Sequence, residues 1–281
     1  MTFNRIIVGI DGSPASLIAT RHAFKIGKHF DIPVIGMYVI DERLMDESFL
    51  LDLSSILGFT FYPGISARVK EFLEEQGDLI LKTFAEEGRK EGVKVSIVQV
   101  QGIPWQEIVK EADKEDLILI GKKGKKLIKG VLVSSNAENV ARNAPCPVFM
   151  FPEEDREIKK VCVAYDGKEN SKRALEISRA LKEPYGYEIY VLSVVENLEE
   201  AKKREEEVKE VLGEEHHFYG IKGIPEEVIV SFCREKEMDA LFMGAYGKGP
   251  VREFFLGSVT TYVMHNLDLP LLLVRQPNEE G

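Results

Sequence analysis

The chain says the same thing twice, and this repetition limits its possible folds more than any other feature. Residues 3–11, FNRIIVGID, are answered by residues 158–166, IKKVCVAYD. GIPWQEIV at 102–109 is answered by GIPEEVIV at 223–230, and DLILIGKKGKK at 116–126 by DALFMGAYGKG at 239–249. NAPCPVFMF at 143–151 is answered by NLDLPLLLV at 266–274. The offset falls from 155 at the start to 123 at Gly121/Gly244 and Pro147/Pro270, so the first copy carries about 32 extra residues. Most of them form an insert at about 41–64. Four matches in one order mean duplication, with copies expected at 1–153 and 157–277 and the charged stretch PEEDREIK at 152–159 near the boundary.

Within each copy the hydrophobic period alternates. Short Val/Ile/Leu runs at 5–10, 34–40, 93–100, 117–121 and 148–151 read as strands, with counterparts near 160–165, 188–195, 216–221, 240–243 and 270–274. Helix-length amphipathic stretches lie between them. Segment 66–91 places Val69, Phe72, Leu73, Ile80 and Phe84 at helical spacing and stops at Gly92. Strands apolar throughout, alternating with helices, predict a parallel sheet covered on both faces. The expected fold is therefore α/β, as two tandem doubly wound, five-stranded parallel sandwiches. Each copy ends on an almost wholly apolar strand. Pairing those two edges with each other hides both and gives an internal pseudo-dimer, and a further homodimer stays open.

Composition excludes several classes of function. Of 281 residues 44% are hydrophobic and 30% charged, which suits a protein with a full core. A net charge of −10 disfavours a general grip on nucleic acid or an anionic membrane. The longest apolar runs are strand-sized, and the N-terminus lacks a signal-peptide pattern. The three cysteines, Cys146, Cys162 and Cys233, show no metal-ligand spacing and read as buried thiols in a reducing compartment. A soluble, cytoplasmic protein is expected. The five histidines share no spacing that suggests a metal site or a triad.

In open α/β sheets ligands bind beyond the carboxyl ends of the strands. After the fourth strand of the second copy the chain reads Gly244-x2-Gly247-x9-Gly257-Ser258, with the last pair opening a predicted helix. Gly247 lets main chain approach an anion without a Cβ in the way. At Gly257 and Ser258, free N–H groups and the positive end of the helix dipole favour phosphate, and the Ser258 and Thr260 hydroxyls can add hydrogen bonds. The competing reading is that the glycines only turn the chain and Ser258 only caps the helix. Neither G-x4-G-K-[ST] nor a strand opening into G-x-G-x-x-G occurs, so a dinucleotide cofactor is not expected.

With IIVGIDGS, the two GIP segments and G-x2-G-x9-G-S in hand, the chain resembles a tandem member of the universal stress protein family, on its ATP-binding branch. The resemblance spans nearly all of both copies. It implies an adenine-nucleotide α-hydrolase-like, Rossmann-like fold that binds ATP, or AMP or ADP, with Mg²⁺ or Mn²⁺ on the phosphates. Carried over by position, Asp166 and Asp11 would contact the adenosine, and Val194 and Val39 would pack beside the adenine. Gly244, Gly247, Gly257, Ser258, Val259 and Thr260 would hold ribose and phosphates, and Gly121, Gly124, Ser134 and Ser135 match part of that set in the first copy. For Asp166, accepting turn N–H bonds is the competing role.

The copies differ. In the first, Ser134 stands where the third glycine belongs and Ala137 replaces Thr260. A Cβ there costs on the order of 1 kcal/mol or more if the backbone needs positive φ, and nothing if the residue is an N-cap. Lysines 122, 123, 125, 126 and 129 crowd its loop, as a solvated stretch or as an anion site. The second copy keeps the better glycine loop but has Asp166-Gly-Lys168 at its first turn and no insert. These features favour ATP mainly in the second copy. With no general base evident, the expected role is a nucleotide-dependent stress-response or signalling module. The alternatives are a slow Mg-dependent ATPase or autophosphorylating enzyme, and a nucleotide-free dimerisation scaffold.

Overall fold

A computed structural model describes residues 3–48, 50–51, 64–122, 136–245 and 257–275. The first half runs β1 (Ile6–Gly9), α1 (Pro14–Phe30), β2 (Val34–Asp41), a 3-10 turn (Glu42–Met45), α2 (Ile65–Lys90), β3 (Val95–Gly102), α3 (Pro104–Glu111), β4 (Leu117–Gly121), α4 (Asn136–Asn143) and β5 (Val148–Phe151). The second runs β6 (Lys160–Ala164), α5 (Glu169–Tyr185), β7 (Glu188–Val194), α6 (Leu198–Leu212), β8 (His217–Ile221), α7 (Pro225–Glu235), β9 (Ala240–Gly244), α8 (Ser258–Asn266) and β10 (Leu271–Val274). The strands fall within a residue or two of the apolar runs that announced them.

Local chemistry explains the junctions. In both GIP segments the isoleucine before proline is held extended, with φ/ψ of −87/118 at Ile103 and −80/120 at Ile224. Proline then opens α3 and α7 from the first helical position, where its missing N–H costs nothing. Ser13 caps α1 by accepting from the Ser16 N–H, and Asn197 caps α6 by accepting from Glu200. At the end of α2, Gly92 takes φ +78 and donates to the Arg89 carbonyl, as its place after the helical pattern predicted.

All ten strands form one sheet in the order β3-β2-β1-β4-β5-β10-β9-β6-β7-β8. Every pairing is parallel except β5 with β10, where Leu271, Leu272 and Leu273 face Met150, Phe149 and Val148. The two apolar edges do cover each other. Because that pair is antiparallel, the strands of the two halves run in opposite directions, so their carboxyl ends open on opposite edges of the sheet.

The period of two along each strand sorts side chains into two layers that run through both halves. Ile6, Val8, Leu119, Phe149, Phe151, Val163, Phe242 and Leu272 join α1, α2, α5 and α6 on one face. Ile7, Ile118, Ile120, Met150, Cys162, Leu241 and Leu273 join α3, α4, α7 and α8 on the other. All three cysteines are buried and free, and burial pushes the Cys146 thiol up to about 12. No helix among the described residues is long and apolar enough to cross a membrane.

Polar contacts also cross between the halves. Lys122, one of the five loop lysines, is buried with its Nζ on the Leu267 carbonyl at the end of α8. It is therefore neither solvated nor free to meet an anion. The other four lie outside the described residues. Arg275 Nη1 donates to the Arg142 carbonyl at 2.8 Å. His22 of α1 stacks on Phe151 with ring centroids 4.4 Å apart, and its Nδ1 lies 2.7 Å from the Tyr185 hydroxyl of α5.

Burial holds the His22 pKa down at about 4, helped by the repulsion of Lys25 and Arg21 and opposed only by the pull of Asp155. Above the unfolded value of about 6.5, both states are neutral at this residue and its full contribution is present. Below it, the unfolded chain takes up the proton first, so stability falls as pH drops toward 4. Between pH 7 and 5 this one residue is expected to cost about 2 kcal/mol. In urea titrations at the two pH values, His22→Phe should lose that part of the pH dependence. An unchanged slope would remove His22 as its source.

Candidate functional site

Each half reverses its strand order at the first strand, which lies between the second and the fourth. This switch point is where a doubly wound sheet leaves a crevice beyond the carboxyl ends. In the first half the crevice is a partly open cavity of about 350 Å³. Gly9, Ile10 and Asp11 from the end of β1, Met37, Tyr38 and Val39 from β2, and Ile120 and Gly121 from β4 form its floor. Pro104 and Ile108 of α3, with Asn136, Ala137 and Val140 of α4, close one wall, while Leu44 and α2 residues Phe72, Leu73 and Gln76 close the other.

Three of the residues singled out in the first copy, Asp11, Val39 and Gly121, therefore meet around one space. Asp11 Oδ1 accepts from the Ser13 N–H at 2.9 Å and from its hydroxyl at 2.5 Å, which fixes the turn into α1. Gly121 is needed for packing as well. A Cβ there would lie 2.8 Å from Ala15 Cβ and 3.1 Å from the Ser16 nitrogen, because the end of β4 presses on the start of α1. Gly124, Ser134 and Ser135 lie outside the described residues.

The second half repeats the frame with different contents. Gly244 presses on the start of α5, where a Cβ would sit 2.7 Å from the Ser171 nitrogen. Ser171 Oγ donates to Asp166 Oδ1 at 2.7 Å, and Asn170 Nδ2 donates to the Ala245 carbonyl at 2.8 Å. Asp166 thus fills the turn-holding role that competed with adenosine contact. Lys168 Nζ pairs with Asp166 Oδ2 at 2.6 Å. Burial pushes the Asp166 pKa up, yet hydrogen bonds from Lys168 and Ser171 outweigh it and hold the carboxyl below its ordinary value.

Gly257 is the N-cap of α8, with φ −50 and ψ 154 and no side-chain cap. That backbone is open to any residue, so the conformational penalty considered for serine at the matching position does not arise from φ. Ser258 follows as the first helical residue, exposed, so it is not the cap. Val259 is half-buried and Thr260 is buried. Val194 closes β7, paired with Ile221 of β8. Gly247 lies outside the described residues.

Where α2 walls the first cavity, the shorter α6 lays Arg204 over the first turn of the second half. A Cβ on Gly167 would fall on its guanidinium. Arg204 lies 3.5 Å from both Glu200 and Glu207 and 5.9 Å from the Tyr165 ring centre. Tyr165 itself donates to Glu207 at 2.8 Å. The sequence favoured the second copy for its glycine loop, of which residues 246–256 lie outside the described residues, whereas the cavity described here belongs to the first. Tyr38, Gln76 and Asn136 escaped the sequence reading, and Phe72 entered it only as part of a helical pattern. The long α2 was legible there, but not which of its faces would meet a cavity.

Among the described residues no group of three or more His, Cys, Asp or Glu is arranged to hold a metal ion.

Fold and crevice together define a duplicated, doubly wound α/β protein with a ligand-sized cleft at a strand-order switch point. The model of the universal stress protein family matches residues 2–152 and 196–275, and the chain belongs to that family. Universal stress protein MJ0531 of Methanocaldococcus jannaschii is 34% identical over 157 residues, covering 55% of this chain and 85% of that protein. Universal stress protein MJ0577 of the same organism is 33% identical over 159 residues, covering 53% and 94%. A crystal structure of a universal stress protein from Archaeoglobus fulgidus covers 99% of this chain and 98% of that one, with a TM-score of 0.75 at 23% identity, a likeness of fold.

The close approach of β9 to α5 makes Gly244→Ala a packing change at backbone, which has little room to yield. A loss of about 1–3 kcal/mol in ligand-free chemical denaturation is expected. Wild-type stability in that variant would mean the helix start can shift freely.

Proposed function

We propose that this protein binds an adenine nucleotide, ATP or its AMP or ADP relatives, and acts in the cytoplasm as a nucleotide-dependent stress-response or signalling module. In this reading residues 1–153 and 157–277 are its two domains, joined as an internal pseudo-dimer, and Mg²⁺ or Mn²⁺ rides on the phosphates. One observation carries the proposal. A cavity of about 350 Å³ at the switch point combines an apolar floor with Asp11 and the start of α4, the mixed lining that a base and a sugar need together. Val39, Leu44 and Phe72 supply apolar surface for a flat base, and Asp11 and Ser16 supply polar groups.

The glycine motif favours a second reading, with ATP held mainly in the second domain. Its support is the uncapped N-terminus of α8, whose first N–H groups have no side-chain cap from Gly257. Under this reading Asp166, Val194, Gly244, Gly247, Gly257, Ser258, Val259 and Thr260 form the site.

The decisive experiment is mass spectrometry of small molecules released by denaturing the purified protein, paired with melting curves in Mg-ATP. Adenine nucleotide in the released fraction is expected, with about 2.7 kcal/mol of stabilisation at ATP a hundredfold above Kd. Absence of both results would end the nucleotide reading. Gly257→Val then separates the halves. Its Cβ meets no atom of the described residues within 4 Å, so the fold should persist while affinity in the second domain falls by about two orders of magnitude. Calorimetry showing one site lost and one kept would assign both domains. An unaltered isotherm would remove the second.

A further inference from the structure

The wall of the first-half cavity contains an acceptor with nothing to accept. Asn136 opens α4 and lines the cavity, and its side-chain Oδ1 is buried without a hydrogen-bond partner among the described residues. Around it the wall is apolar, with Ile108, Ile120 and Val140. A carbonyl oxygen buried this way has lost its water and gained nothing, an arrangement native proteins rarely leave uncompensated. At the matching position of the second half stands Val259, which packs against the apolar layer and makes no such demand.

We propose that Asn136 is a specificity-determining residue of this cavity, its side-chain carbonyl accepting a hydrogen bond from a ribose hydroxyl of the bound nucleotide. This rests on the nucleotide reading of the same cavity. The direction of the bond follows from the lining. Asp11 and Asp41 are also acceptors, and both are already engaged, Asp11 by Ser13 at 2.5 Å and 2.9 Å and Asp41 by Arg43 at 2.5 Å and 2.8 Å. A ligand completing this set must bring donors. The place of the bond follows from the elements. Asn136 and Phe72 stand in the two walls, with Asp11, Val39 and Gly121 in the floor between them. In a nucleotide, the group between base and phosphates is the sugar, and its hydroxyls are the donors.

The test uses the full chain carrying Gly257→Val, so that the first-half cavity is read alone. ATP, 2′-deoxy-ATP and 3′-deoxy-ATP are titrated by calorimetry into this protein and into versions that also carry Asn136→Val or Asn136→Ala. The parent should bind ATP about tenfold more tightly than one of the deoxy analogues, as a single hydrogen bond predicts. Both Asn136 variants should bind ATP about tenfold more weakly and no longer distinguish the three ligands. Ligand-free, Asn136→Val should melt no lower than the parent, because an unpaired buried acceptor has been removed. A structural role would instead lower the ligand-free melting temperature of both variants, and that result overturns the proposal. So does a parent that binds all three ligands equally, or a variant that keeps the parent's affinity and preference. In those cases ATP still binds and the nucleotide reading of the cavity stands. A parent that binds none of the three ligands removes that reading, and the role of Asn136 falls with it.

Discussion

The antiparallel contact between β5 and β10 organises everything else in this molecule. Two strands that each end a copy, almost wholly apolar, would be sticky edges if left open. Register pairs Leu272 with Phe149, and the two sheets become one of ten strands. Phe149 meets Phe242 edge-on at 5.4 Å, and Phe242 meets Tyr187 the same way at 6.2 Å, so aromatic packing continues across the join. Lys122 on the end of α8, Arg275 on the end of α4 and His22 against Tyr185 tie the flanking helices over it. Reversal of strand direction at this one pairing sends the two crevices to opposite edges, where neither can share residues with the other.

A second constraint acts inside each half. The strand beside the switch point ends so close to the start of its half's first helix that only glycine fits, at Gly121 against Ala15 of α1 and at Gly244 against Ser171 of α5. The same closeness brings the turn carboxylate and the helix N-terminus to one place. Packing and ligand recognition therefore ask for the same residue, so a glycine in such a motif is not by itself a sign of phosphate. The halves then diverge by what lies above this frame. The long α2 leaves a walled cavity, while the short α6 lays Arg204 and its two glutamates over the turn.

Much of this was legible in the sequence because it rests on local rules. Strand positions followed from apolar runs, the end of α2 from Gly92, and the helix starts at Pro104 and Pro225 from the missing proline N–H. The duplication supplied the topology twice, and exposed apolar edges supplied the join. The buried state of Cys146, Cys162 and Cys233 followed from their apolar surroundings. The site was legible only at its floor, where Asp11, Val39 and Gly121 sit at strand ends that the fold must bring together. Lys122 shows the limit. In sequence it is one of five charges in a loop, yet in the structure it is sealed beneath α8 by a carbonyl 145 residues away.

The sequence by itself determined a duplicated α/β chain with glycines and acids at the strand ends, since periodicity, caps and proline geometry depend on near neighbours alone. Tertiary structure decided which residues wall the first-half cavity. Phe72 and Gln76 become a wall, Arg204 a cover and Asn136 an unpaired acceptor only once distant elements pack, and no local rule sets the distances between them.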